Sequence, residues 1–136
     1  MKKIVALVLT GLVCLVATAS FAAEEKPFKA AIDSDGVQRV EMVGGSYFFT
    51  PNRVIVKVNV PVELKVKKES GVTPHNITIK APEAGISFDE PLGSDPKVIK
   101  FTPKKTGTYP FLCTKKLLFF ESHNEKGMHG MLEVVE

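Results

Sequence analysis

The sequence contains no tryptophan, only two cysteines, and no long apolar run beyond its first 22 residues. Each shortage excludes something. Cys14 lies inside the N-terminal apolar run, so Cys113 is the one cysteine of the remaining chain and no intramolecular disulfide can staple it. The chain must therefore fold on a hydrophobic core, for which about 114 residues in one domain are enough. No stretch keeps a helical period, and no internal repeat, low-complexity tract or second domain is present. Charge of one sign is also missing. Two of the 18 Lys+Arg, Lys2 and Lys3, belong to the N-terminal segment, which leaves 16 against 15 Asp+Glu. A chain so nearly neutral is not built to hold nucleic acid.

Residues 1–22 read as a secretory signal, with Lys2 and Lys3 ahead of an apolar run and Ser20-Phe21-Ala22 forming a small-residue cleavage site. The run is short for a membrane span, and Val13 is too large to precede a lipid-modified cysteine at Cys14. These features predict a periplasmic domain over residues 23–136 with no stable membrane insertion after cleavage.

What the remainder does have is apolar alternation broken by Pro, Gly and Asn. Residues 37–43 form one run, and 47–49 lead into a Pro51-Asn52 turn. Val54, Val56 and Val58 then alternate, followed by Leu64 and Val66 against Glu63, Lys65 and Lys67. Ile77 and Ile79 continue the period with Asn76, Thr78 and Lys80 opposite, and residues 98–101, 108–113 and 131–135 complete the strands. A period of two with charge on one side predicts half-buried strands of an antiparallel sandwich or barrel. Residues 81–96 are rich in Gly, Pro, Asp and Ser and read as a long connection with a helical turn.

Chemistry gathers in residues 109–131. Cys113, His123, Met128, His129 and Met131 follow one another there, and His75 stands at the start of a strand upstream. Thiolate, imidazole and thioether are soft donors, the set that selects copper; two imidazoles, a thiolate and a weak axial thioether make a blue-copper electron-transfer site. His75, Cys113, His123 and His129 would equally compose a four-coordinate structural zinc set. A Cys-His nucleophile lacks any orienting third group or oxyanion site. Asn76, beside His75, is expected to tie that loop to the Cys113 strand. Leu117, Leu118, Phe119 and Phe120 either cap the core or form a docking feature for a partner.

The order of these pieces resembles the cupredoxins, the small blue copper proteins. Tyr47-Phe48-Phe49-Thr50-Pro51 leads into Val54-Ile55-Val56-Lys57-Val58; His75-Asn76 and Gly107-Thr108-Tyr109-Pro110-Phe111-Leu112-Cys113 follow, then His123 to Met128 and a closing strand. The resemblance implies an all-β Greek-key β-sandwich carrying one mononuclear type 1 copper centre, with ligands at His75, Cys113, His123 and Met128. It implies a monomeric carrier of single electrons between redox protein partners rather than an enzyme. Copper sequestration or delivery, and a red-copper or zinc variant of the same fold, are the alternatives. Plastocyanin-like and azurin-like members place two to four residues between the cysteine and the next histidine, whereas nine intervene here. His129 therefore competes with His123, and Glu121 or Met131 with Met128.

Overall fold

The computed structural model describes residues 26–136, so the segment read as an export signal lies outside the described residues. Ten strands follow in chain order: β1 (Phe28–Lys29), β2 (Gln38–Gly45), β3 (Phe48–Thr50), β4 (Arg53–Lys57), β5 (Val62–Lys68), β6 (His75–Ala81), β7 (Ile86–Leu92), β8 (Lys97–Phe101), β9 (Gly107–Leu112) and β10 (His129–Val135). One short helical turn, Pro82–Ala84, precedes β7 and ends on Gly85 at φ +70°. Among the described residues no helix is long and apolar enough to cross a membrane.

The strands form a sandwich of two sheets, one in the order β1-β4-β10-β9-β6-β7 and the other β3-β2-β5-β8. Alternation decides which side chains meet between them. Val40 and Met42 of β2, Leu64 and Val66 of β5, Val54 and Val56 of β4, Ile77 and Ile79 of β6, and Leu132 and Val134 of β10 are all buried. Phe49 and Phe111 pack edge to face at 5.4 Å in the same core. Burying each such side chain contributes about 1.5–3 kcal/mol, none of it dependent on a metal. Val58 and Phe101, also expected inside, are partly buried and pack against the cluster.

Three features differ from the sequence expectation. The sheets are mixed, because β4 runs parallel to both β1 and β10, and β2 parallel to β5. Chain that crosses between two sheets can bring strands distant in sequence side by side in either sense. Secondly, part of the connection read at residues 81–96 is the strand β7, paired along its length with β6. Its period is masked by Asp89, Glu90 and Pro91, and a proline is tolerated there because β7 is an edge strand. Thirdly, Asn76 and Thr78 are buried on the face of β6 read as outward. Their polar groups are satisfied: Thr78 donates to the Phe88 carbonyl, and Asn76 makes three hydrogen bonds, described below.

Gln38 fastens the two sheets. Fully buried, it accepts from the Lys57 N–H at 2.7 Å and donates to the carbonyls of Lys57 and Val60 at 3.1 and 3.3 Å. Gln38→Leu would fill the space but strand those backbone groups without water. A loss of about 1–3 kcal/mol in the stability of metal-free protein is expected from denaturant midpoints. Unchanged stability would show that the latch contributes nothing.

Candidate metal centre

The β9–β10 pairing builds one side of the site. His129 lies opposite Leu112, and the ladder runs on through Gly130–Phe111 to Val134–Gly107. Cys113 and Met128 are each one residue beyond the Leu112–His129 pair, and the Cys113 N–H donates to the Met128 carbonyl at 3.0 Å. Both side chains are fully buried. Gly44 of β2 leaves the room that Met128 uses, since a Cβ there would stand 3.1 Å from the Met128 methyl and 3.0 Å from Leu92.

His123 sits in a hydrogen-bonded turn that its own neighbours cap. The Ser122 N–H donates to the Glu125 carboxylate at 2.6 Å while the Glu125 N–H donates to the Ser122 hydroxyl at 3.2 Å. This reciprocal pair is a capping box, and the S-x-x-E spacing that announces it was legible in the sequence. Gly127, at φ +105°, turns the chain so that the Met128 N–H reaches the His123 carbonyl at 2.9 Å. The His123 N–H in turn donates to the Lys115 carbonyl at 2.9 Å.

His75 enters from the first residue of β6, and Asn76 fixes that entry. Its side chain donates to the Thr114 hydroxyl at 2.8 Å and to the Asp89 carboxylate at 2.7 Å, and it accepts from the Thr114 N–H at 2.8 Å. The β6 end is thereby tied to the residue after Cys113. Asp89 belongs to the strand that the sequence reading passed over, and that is why its part went unnoticed. Tyr47 was missed as well; its ring meets His123 edge-on at 5.2 Å, with the Lys126 ammonium 4.6 Å from the ring centre.

His75, Cys113 and His123 bring one donor atom each within 4.8 Å of the others, all three buried. The two Nδ1 atoms are 3.1 Å apart, and Cys113 Sγ is 3.5 Å from His123 Nδ1. Donors that share one ion at bond lengths of about 2.0–2.3 Å stand roughly 3–3.7 Å from each other, so these spacings fit a single metal ion. The rival candidates fall elsewhere. His129 is exposed and donates from Nδ1 to the Asn124 carbonyl at 3.2 Å; Met131 and Glu121 are exposed too. The zinc set that needed His129 is not assembled.

Burial sets the electrostatics. Desolvation, then the neighbouring His123 and Lys68, push His75 below its ordinary pKa of 6.5. Desolvation and then Lys126 do the same to His123. Both imidazoles are therefore neutral at pH 7, with lone pairs free to ligate, as metal binding requires. Residues 117–120, by contrast, are not a cap of the core: Leu117, Leu118, Phe119 and Phe120 are all exposed.

Residues 5–134 match the family model of the cupredoxin-like domain. No curated protein matches the sequence. Among solved structures, the chain is similar to the metal-binding domain of the Cu(I)-exporting P-type ATPase CopA of Streptococcus pneumoniae D39, with Cu(I). That likeness has 22% identity over 82% of this chain and 97% of that one, with a TM-score of 0.63. Reduced auracyanin from Roseiflexus castenholzii is also similar, at 24% identity over 72% and 97%, TM-score 0.57. So is auracyanin A, a blue copper protein of Chloroflexus aurantiacus, at 22% over 74% and 100%, TM-score 0.53. These likenesses are of fold.

The depressed imidazoles fix a pH dependence. Unfolded, both histidines protonate near pH 6.5; folded, they resist, so below that pH the unfolded state binds more protons and gains. Metal-free protein should accordingly keep its full stability above about pH 6.5 and lose it as the pH falls through the lower folded values. Denaturant midpoints at neutral and mildly acid pH test this. Replacing His75 and His123 together by Gln should flatten the dependence, and an equally steep slope in that variant would place its origin elsewhere.

Proposed function

The chain belongs to the cupredoxin-like domain family, and on that premise we propose that it is an exported, mononuclear copper protein that carries single electrons between redox proteins. One observation supports this above the rest: two imidazole nitrogens and a cysteine sulfur, all from buried residues, converge within 4.8 Å, and Met128 nearby is buried too. His75, Cys113 and His123, with Met128, would hold the ion. Copper held there supplies one-electron Cu(II)/Cu(I) chemistry.

The protein's contribution is to hold still. Asn76 fixes the β6 end against Thr114, and the Met128 and His123 backbones are hydrogen-bonded to each other and to the Cys113 and Lys115 backbones. Ligands so braced keep one arrangement in both oxidation states, which keeps the reorganisation on electron transfer small. The donor residues are buried, and this favours a carrier over an enzyme with an open coordination position. The N-terminal segment, read as an export signal, supports a site of work in the periplasm.

A second reading, copper sequestration or delivery, draws on His129 and Met131, which are exposed two residues apart on β10. It also draws on the likeness to a domain of a Cu(I)-exporting ATPase. Sites of that kind are nearly colourless, whereas a buried copper–thiolate site absorbs intensely.

Addition of Cu(II) to purified protein should produce a strong blue absorption that a reductant bleaches. Cys113→Ser should abolish it. His123→Ala should lose the colour, or regain it only with added imidazole, while His129→Ala keeps it, because adjacent residues at a strand start point to opposite sides. A bleached His129→Ala beside a blue His123→Ala would overturn the ligand set, Met128 included. A colourless copper complex would favour delivery.

A further inference from the structure

The loop between Cys113 and His123 is an ordered hairpin rather than slack chain. Lys116 and Ser122 pair across its neck as an antiparallel bridge, and the Phe120 N–H donates to the Leu117 carbonyl at 3.0 Å. That turn puts Leu118 and Phe119 at the apex. Leu118 has φ +48°, a conformation that residues other than Gly seldom adopt. Its side chain is 73% exposed and that of Phe119 100%. The fold thus spends local backbone strain on holding two large apolar groups in water, and strain of this kind collects at functional positions.

A second loop at the same end repeats the arrangement. Val72 is fully exposed and faces the hairpin across a groove of about 380 Å³ lined by Pro74, Leu117, Phe120 and His123 among others. The charges around these tips are mostly positive. Lys115 and Lys116 lead directly into the apolar run, and Lys116 and Lys126 line the groove. Of the acids nearby, Glu121 has no ion pair among the described residues, Glu125 is turned back onto the Ser122 N–H, and Glu69 stands at the base of the Val72 loop.

Shape decides what can cover such a feature. A protein partner needs a broad complementary patch, about 800 Å² on each side. A narrow apex projecting beyond its surroundings offers little of that. The boundary of a lipid bilayer accepts it readily, since aromatic and aliphatic groups embed at headgroup depth while lysines stay with the phosphates. We propose that the hairpin of residues 117–120, together with Val72, is a wedge that docks the metal end of the domain on a lipid bilayer, with a preference for anionic headgroups. The contact is peripheral and reversible, as two or three embedded side chains allow. It also turns the His123 side of the groove toward the membrane surface.

The wedge is assembled without metal, so its test is independent of copper. The chain from residue 23, which retains every strand described, is mixed with phosphatidylcholine vesicles with and without phosphatidylglycerol, and co-sedimentation is measured. Binding should be stronger on the anionic vesicles and weaken with salt. The double variant Leu118→Ser, Phe119→Ser should partition at least about tenfold less, since burial of each group favours the bound state by more than that factor. Its thermal unfolding should match the parent because both positions are exposed. In Phe119→Trp the emission should shift to the blue on vesicle addition. Absence of co-sedimentation, or equal partition of the double variant, overturns the proposal. So does a double variant that fails only in electron exchange with a soluble redox protein, which would assign the wedge to a protein partner.

Discussion

The site depends on the register between β9 and β10. Leu112 pairs with His129, so the next step past the end of the ladder sets Cys113 against Met128, and one hydrogen bond from the cysteine N–H to the methionine carbonyl holds them there. Because side chains alternate, a slip of β10 by one residue would turn Met128 outward and bring His129 in, and a slip of β9 would exchange Cys113 for Thr114. The register is strongly specified for a separate reason. Phe111 of β9 and Leu132 and Val134 of β10 bury in the core, and a slip of either strand would expose its own. Core packing, not metal, thus fixes which donor side chains face inward.

This division explains the economy of the centre. Two neutral imidazoles with Nδ1 atoms 3.1 Å apart can share a proton between them, one donating and the other accepting. A metal ion held there would take the place of that proton, which would pass to the other nitrogen of its ring. Burial that would penalise an imidazolium leaves the neutral ligand untouched, so the environment that makes the metal-free site acid-sensitive is the one that prepares it for a cation. Tyr47, edge-on to His123 and carrying Lys126 on its face, adds a wall on the loop side and a positive charge that works in the same direction.

Strands with clean alternation were legible from the sequence: the Val54–Val56 run, the Leu64–Val66 run and Ile77–Ile79 all bury the predicted side chains. β7 was not legible, since an edge strand can carry Asp89, Glu90 and Pro91 without penalty and so loses its signature. Its omission hid Asp89 as a partner of Asn76. Parallel pairings were also beyond reach, because nothing local in β4 states that β10 will lie beside it. At the centre, donor chemistry could be read from residue types, but the choice between His123 and His129 required knowing where β10 starts. The structure starts it at His129, which leaves Met128 facing in and His129 facing out.

The long spacing between Cys113 and His123 is then less of a departure than it looks. The His123 N–H closes onto the Lys115 carbonyl, and residues 116–122 between them form a hairpin with its own bridge and its own turn. Those seven residues leave and rejoin the chain at nearly one place. Without them, Thr114 and Lys115 alone would separate the cysteine from the histidine, a spacing within the two to four residues of plastocyanin-like members. Closing a loop that already forms its own hydrogen bonds costs little, and insertions into surface loops are tolerated for that reason. The proposed ligand frame is therefore the ordinary one with a hairpin set into it. A segment that contributes nothing to the core and little to the ligand geometry, yet presents four apolar side chains to solvent, is a separable module whose role lies at the surface.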